Sequence, residues 1–164
     1  MKNNAFIESQ KQFDWAAKQL NLDKKLRTSL RYPQNFIQKR LIIRGDDGRI
    51  KTFTAFRSQY NNALGPFKGG LRFHPEETAD TVRALSAWMT WKCSLTGLPL
   101  GGGKGGVVCN PKKLSEKELE KISKAYAKKF AKHFGPWTDI PAPDVYTNSQ
   151  TMAWMLEAYE QSVG

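Results

Sequence analysis

Nine of the thirteen glycines in this chain of 164 residues fall between Gly65 and Gly106, with three lysines among or between them. Lys68 sits in Gly65-Pro66-Phe67-Lys68-Gly69-Gly70, Lys92 follows, and Lys104 sits in Gly101-Gly102-Gly103-Lys104-Gly105-Gly106. Glycine gives up more backbone entropy on folding than any other residue, so such density requires either φ > 0 or a close approach to the main chain. Either use leaves the lysines at the wall of a pocket. Several ammonium ions in one partly dry cleft are unfavourable unless an anion joins them, so the pattern predicts a carboxylate or phosphate ligand.

Phosphate loops are the first alternative to weigh. Gly101, Gly103 and Gly106 satisfy GxGxxG, but the segment follows Pro99 and runs into Val107-Val108 and Pro111 instead of leaving a strand and opening a helix. A Walker-type loop fails because Lys104 precedes Gly105, not Ser or Thr, and Leu98 stands where the first glycine belongs. Repulsion and desolvation among the lysines favour a neutral amine, which makes Lys104 a candidate base. Asp144, presented by Pro141-Ala142-Pro143, is either its acidic partner or a turn or helix-cap aspartate. Lys92 extends the apolar stripe Val82, Leu85, Met89, either snorkelling to water or facing the pocket. His74 and His133 have no metal-ligand spacing, so no metal is indicated.

The remaining chain reads as alternating strands and helices. Residues 5–30 predict two helical pieces ending before Pro33. Leu41-Ile42-Ile43 and Ile50 to Phe56 flank Gly45-Asp46-Asp47-Gly48 as a hairpin, and Leu71-Arg72-Phe73 is a short third strand. A helix is expected over 78–95, a strand at Val107-Val108-Cys109, a lysine-rich helix capped by Ser115 and Glu118, and a strand at 137–140 entering a stiff proline loop. A last helix carries Met152, Met155, Leu156 and Tyr159 on one face. The fold class is therefore α/β, a single domain over 1–164 with a mixed sheet flanked by helices, its parts being helices in 5–30 and the hairpin, glycine-lysine motifs and helices of 38–164.

With 26 Lys+Arg and 15 Asp+Glu the net charge is +11. Eight lysines cluster between Lys112 and His133, but Glu116, Glu118 and Glu120 are interleaved, which favours a solvated helix face over a nucleic-acid footprint. No apolar window is long enough for a membrane span and no leader is visible at Met1-Lys2-Asn3, so no membrane partner is expected. Two cysteines without metal or redox spacing suggest a reducing, cytoplasmic compartment.

Several motifs, in order, resemble the glutamate dehydrogenase branch of the Glu/Leu/Phe/Val dehydrogenases: Gly65 through Pro75, Trp88-Met89-Thr90-Trp91-Lys92, Leu98 through Gly106, and Pro141-Ala142-Pro143-Asp144 with Thr147-Asn148. The resemblance implies that Lys104 activates the attacking water, Asp144 carries protons to and from the substrate nitrogen, and Lys92 holds the α-carboxylate. Lys68 would hold the side-chain carboxylate of L-glutamate or 2-oxoglutarate, with Met89 lining the same pocket. Branched-chain and aromatic relatives carry an apolar residue at the Lys68 position, and a buried ammonium facing an apolar side chain is left unpaired. Ala55-Phe56-Arg57 and Gln59-Tyr60 depart from the family's pattern in the second hairpin strand. The resemblance further implies NAD or NADP as cofactor, a doubly wound nucleotide domain absent from this chain, and a homo-oligomer, a hexamer in the family. A chain with only the substrate-binding, assembly half is expected to bind dicarboxylate without turnover. Two rival readings are a Schiff-base lysine enzyme acting on a 2-oxo acid and a basic nucleic-acid-binding module.

Overall fold

A turn closed by Gly48, at φ 77°, joins two long antiparallel strands, β1 (Asn35–Arg44) and β2 (Ile50–Asn61). Two helices precede them, α1 (Ala5–Gln19), capped by Asn4, and α2 (Lys24–Arg31), capped by Asp23. After the hairpin come β3 (Phe67–His74), α3 (Ala79–Leu95), β4 (Gly101–Val108), α4 (Glu116–Phe130), β5 (Asp139–Pro143) and α5 (Ser149–Val163). The computed structural model describes residues 4–164; Met1, Lys2 and Asn3, counted in the expected domain and read for a leader, lie outside the described residues. The strands form one mixed sheet in the order β1-β2-β4-β3-β5. β2 pairs antiparallel with β1 and β4, while β3 pairs parallel with β4 and β5.

Strand alternation divides the sheet into two faces. Leu41, Ala55, Leu71, Phe73 and Val107 point to one face and form the main core with Tyr126 and Phe130 of α4 and Met155 of α5. Full burial of each such large apolar side chain contributes roughly 1.5–3 kcal/mol. Ser58, Lys68 and Lys104 point to the other face, which α3 covers. There Trp91 stacks on Phe13 of α1 at 5.8 Å and meets Tyr60 of β2 edge-on at 6.1 Å.

Three expectations need correction. The fourth strand begins at Gly101, so the glycines expected to precede it are the strand itself. Close approach, not positive φ, explains them: a Cβ on Gly102 would lie 2.5 Å from Ser86 O and Thr90 N, and one on Gly103 would lie 3.1 Å from Arg57 Nη2 on the opposite face. Pro141-Ala142-Pro143 is no loop but most of β5. This strand is at the sheet edge, where a proline's missing N–H costs no ladder bond on the open side. Finally, α3 buries small residues, among them Ala84, Ser86, Ala87, Thr90 and Cys93, because a glycine-floored sheet draws the helix axis close. Of the expected stripe Val82 is fully buried, Leu85 and Met89 are half-buried, and Lys92 is exposed.

Candidate active site

Lys104 stands in the middle of β4, opposite Ser58, with 6% of its surface exposed. Its Nζ donates to Asp144 Oδ2. Asp144 follows directly on β5, and the residues after it form a tight loop. The Asp144 N–H donates to Thr147 Oγ1 at 2.7 Å, Thr147 Oγ1 donates to Leu71 O at 2.7 Å, and Val145 N–H donates to Asp144 Oδ1 at 2.6 Å. Tyr146 takes φ 58° to complete the bend. Gly70 on β3 provides the space, since a Cβ there would sit 2.6 Å from Asp144 Oδ2. The site thus depends on two β3 features, a glycine beside the carboxylate and the Leu71 carbonyl that anchors Thr147.

Burial lowers the pKa of Lys104 to about 8; the Glu77 carboxylate opposes the shift, and Arg72 and Arg57 reinforce it. Asp144, which accepts from Nζ, also favours the ammonium. Lys68, half-buried, lies beside Gly102 of β4 and Ile140 of β5 on the same face as Lys104. Burial and then the Arg57 charge pull its pKa down as well.

At about 100° per residue, Lys92 projects about a quarter-turn and Met89 nearly half a turn around α3 from Trp91, which meets Tyr60 of β2. No hydrogen bond or ion pair among the described residues joins either to Lys68, Lys104 or Asp144. The structure therefore brings Lys104 and Asp144 into contact, sets Lys68 on their face and leaves Lys92 at the helix edge. A groove of about 360 Å³ lies elsewhere, between α4, α5 and β5, lined by Phe134, Pro141, Met152 and Tyr159, and it contains none of the lysines.

Sequence reasoning missed two ionic clusters. Arg57 and Asp139 are both fully buried on the core face; Arg57 Nε donates to Asp139 Oδ2 at 2.9 Å, and Gln59 Nε2 donates to the same oxygen at 2.9 Å. Arg57 and Gln59 share strand parity with the core residue Ala55, and polar side chains at core-facing positions are a signal that a buried partner exists. Glu77, 5% exposed, lies beneath Gly106 on the site face with Arg72 Nε 3.7 Å away. No sequence pattern points to it. Among the described residues no group of three or more His, Cys, Asp or Glu is placed to hold a metal, and no helix is long and apolar enough to cross a membrane.

Residues 33–161 match the sequence model of the family described as Glu/Leu/Phe/Val dehydrogenase, dimerisation domain. The NAD-specific glutamate dehydrogenase of Staphylococcus aureus (strain COL) is 46% identical over 157 residues, which cover 96% of this chain and 38% of that protein. The crystal structure of glutamate dehydrogenase from Peptoniphilus asaccharolyticus superposes with a TM-score of 0.94 at 42% identity, covering 97% of this chain and 40% of that one. The hetero-hexameric glutamate dehydrogenase from Thermus thermophilus, in its Leu-bound form, gives 0.91 at 31% identity, covering 99% and 39%. The chain thus spans about 38% of the length of the curated relatives it matches.

Proposed function

This chain belongs to the Glu/Leu/Phe/Val dehydrogenase family, and on that premise we propose that it forms the substrate-binding and assembly half of a glutamate dehydrogenase. The complete protein would interconvert L-glutamate with 2-oxoglutarate and ammonium. The observation that carries this reading is a buried lysine, held near pKa 8, in contact with a carboxylate on a tight loop. In its neutral form Lys104 takes the proton from the water that attacks the substrate imine. Asp144, which retains 22% side-chain exposure, exchanges protons with the substrate nitrogen. Lys68 pairs with the side-chain carboxylate, Lys92 reaches the α-carboxylate from the flank of α3, and Met89 lines the space between.

NAD or NADP does not fit the glycine run of this chain. Gly101, Gly103 and Gly106 lie inside β4, a central strand with α3 and Glu77 against one face and Arg57 against the other, so they form no strand-to-helix turn to receive a pyrophosphate. The cofactor is assigned to the larger part of the relatives' length that this chain does not span, and the NAD-specific name of the Staphylococcus aureus relative supports NAD. The family description, dimerisation domain, supports self-association, and the hetero-hexameric Thermus thermophilus neighbour supports a hexamer as its endpoint. Titration calorimetry on this chain should detect 2-oxoglutarate but not 2-oxoisocaproate. Lys68→Leu should weaken 2-oxoglutarate binding roughly 10- to 100-fold. Equal affinity of the wild type for both ligands, or an unchanged value in the variant, would remove Lys68 from the selectivity role.

A further inference from the structure

The other carboxylate on this face is Glu77, which has no part in the scheme above. It lies three residues beyond the end of β3 and precedes Thr78, the N-cap of α3. Its Oε1 accepts from Thr78 N–H at 3.2 Å, whereas the buried Oε2 has no hydrogen-bond partner among the described residues. Arg72 Nε, also buried and unpartnered, lies 3.7 Å from that oxygen, too far for a hydrogen bond. Glu77 Cγ lies against Gly106, two residues along β4 from Lys104 and on the same face. A carboxylate left this incompletely satisfied is costly, and apolar packing could have filled the space.

The charged groups of the elements packed about Lys104 are Asp144 after β5, Lys68 and Arg72 on β3, Arg57 on the far face of β2, Glu77 before α3 and Lys92, exposed at the edge of α3. Four are cations. Asp144 is partly exposed and, in the proposed chemistry, must leave Lys104 to serve the substrate nitrogen. Glu77 is buried beside the α3 cap; burial raises its carboxyl pKa, while the Arg72 charge, the Thr78 N–H and the Lys104 charge pull it back toward the ionised form. We propose that Glu77 is a positioning residue, a stationary counter-charge that keeps the Lys104 ammonium in place when Asp144 turns away. The inference rests on the reading of Lys104 as the base. It gives the two carboxylates separate work, since Asp144 moves protons while Glu77 sets the pH at which Lys104 gives one up. Glu77 also opposes, by its charge, the depression that burial imposes on Lys104.

The test is a ¹³Cε titration of the lysines in this chain by NMR, with Lys104 assigned by the signal lost in Lys104→Met. Removing a negative neighbour lowers an ammonium pKa, so Glu77→Gln should move the Lys104 midpoint down by roughly half a unit or more. Glu77→Asp, which keeps the charge, should restore most of the wild-type value. Should Glu77→Gln fail to fold, Glu77→Met, apolar and of similar size, is expected to give the same downward shift. An unmoved midpoint in whichever uncharged variant folds overturns the proposal. Binding of 2-oxoglutarate, followed on the same samples, separates the two ideas. A shifted midpoint without binding rejects the glutamate reading alone, and binding with an unmoved midpoint rejects the Glu77 role alone.

Discussion

On the core face of the sheet, Arg57 and Asp139 are wholly buried and closely partnered, by each other, by Gln59 Nε2 and by the Gly69 carbonyl, which accepts from Arg57 Nη1 at 3.2 Å. On the α3 face, Lys104 has one carboxylate that is partly open to solvent, and Glu77 and Arg72 face each other without bonding. The same glycine strand floors both clusters. Both faces thus bury charge; what distinguishes the α3 face, where the site is proposed, is burial with partners missing. The first cluster staples β2 to β5 across two intervening strands. In the second, burial lowers the pKa of Lys104 and raises that of Glu77.

Three measurements probe this contrast. The largest effect is expected from Asp139→Ala, which strands the Arg57 guanidinium in the core and should cost about 3–5 kcal/mol in urea unfolding. A cost within 1 kcal/mol would erase the distinction between the two faces. Next is the pH dependence of stability. Lys104 has a folded pKa near 8 against an ordinary 10.5, so the folded chain binds fewer protons than the unfolded chain between those values. Stability should therefore rise with pH across that window, with the penalty fully present below about 8 and gone above about 10.5. Lys104→Met should flatten the rise, a difference on the order of 1–2 kcal/mol since Asp144 opposes the shift; an identical profile in the variant would place the adjustable group elsewhere. The smallest effect concerns the loop that carries Asp144. Tyr146 adopts φ 58°, which asparagine tolerates better, so Tyr146→Asn should raise the unfolding free energy by less than about 1 kcal/mol, partly offset by losing the stack on His74. A clear loss of stability would show that the ring contributes more than the backbone costs.

The helix boundaries are legible in the sequence because their causes are local. Ser115 and Glu118 form the expected capping box, and Thr78 accepts from Thr81 N–H at the start of α3. The hairpin is legible for the same reason, through β-branched runs around Gly45–Gly48, although β1 and β2 extend beyond it. Only the end of the strand Gly101–Val108, at Val107 and Val108, is legible; its first six residues have either no side chain or, at Lys104, a polar one, and no alternation survives to be read. Those glycines answer to α3 and Arg57, which are distant in sequence. The inward face of α3 misleads for a related reason: with glycine opposite, alanine, serine and threonine do the packing that leucine and methionine do elsewhere. Lys104 and Asp144 stand out by residue type and setting. Glu77 does not, since an acidic residue before a helix cap is commonplace and only the third dimension puts it beneath Gly106.

The glycine floor also limits how such a site could diversify. Gly69, Gly70, Gly102 and Gly106 each lie against backbone or another side chain at distances that exclude even a methyl group. Variation around Lys104 is therefore channelled to the rim, to Lys68, to the outer flank of α3 at Met89 and to the bend after β5. A library randomised over the strand would mostly sample misfolded chains, whereas one confined to those rim positions could explore new ligands on an unaltered scaffold.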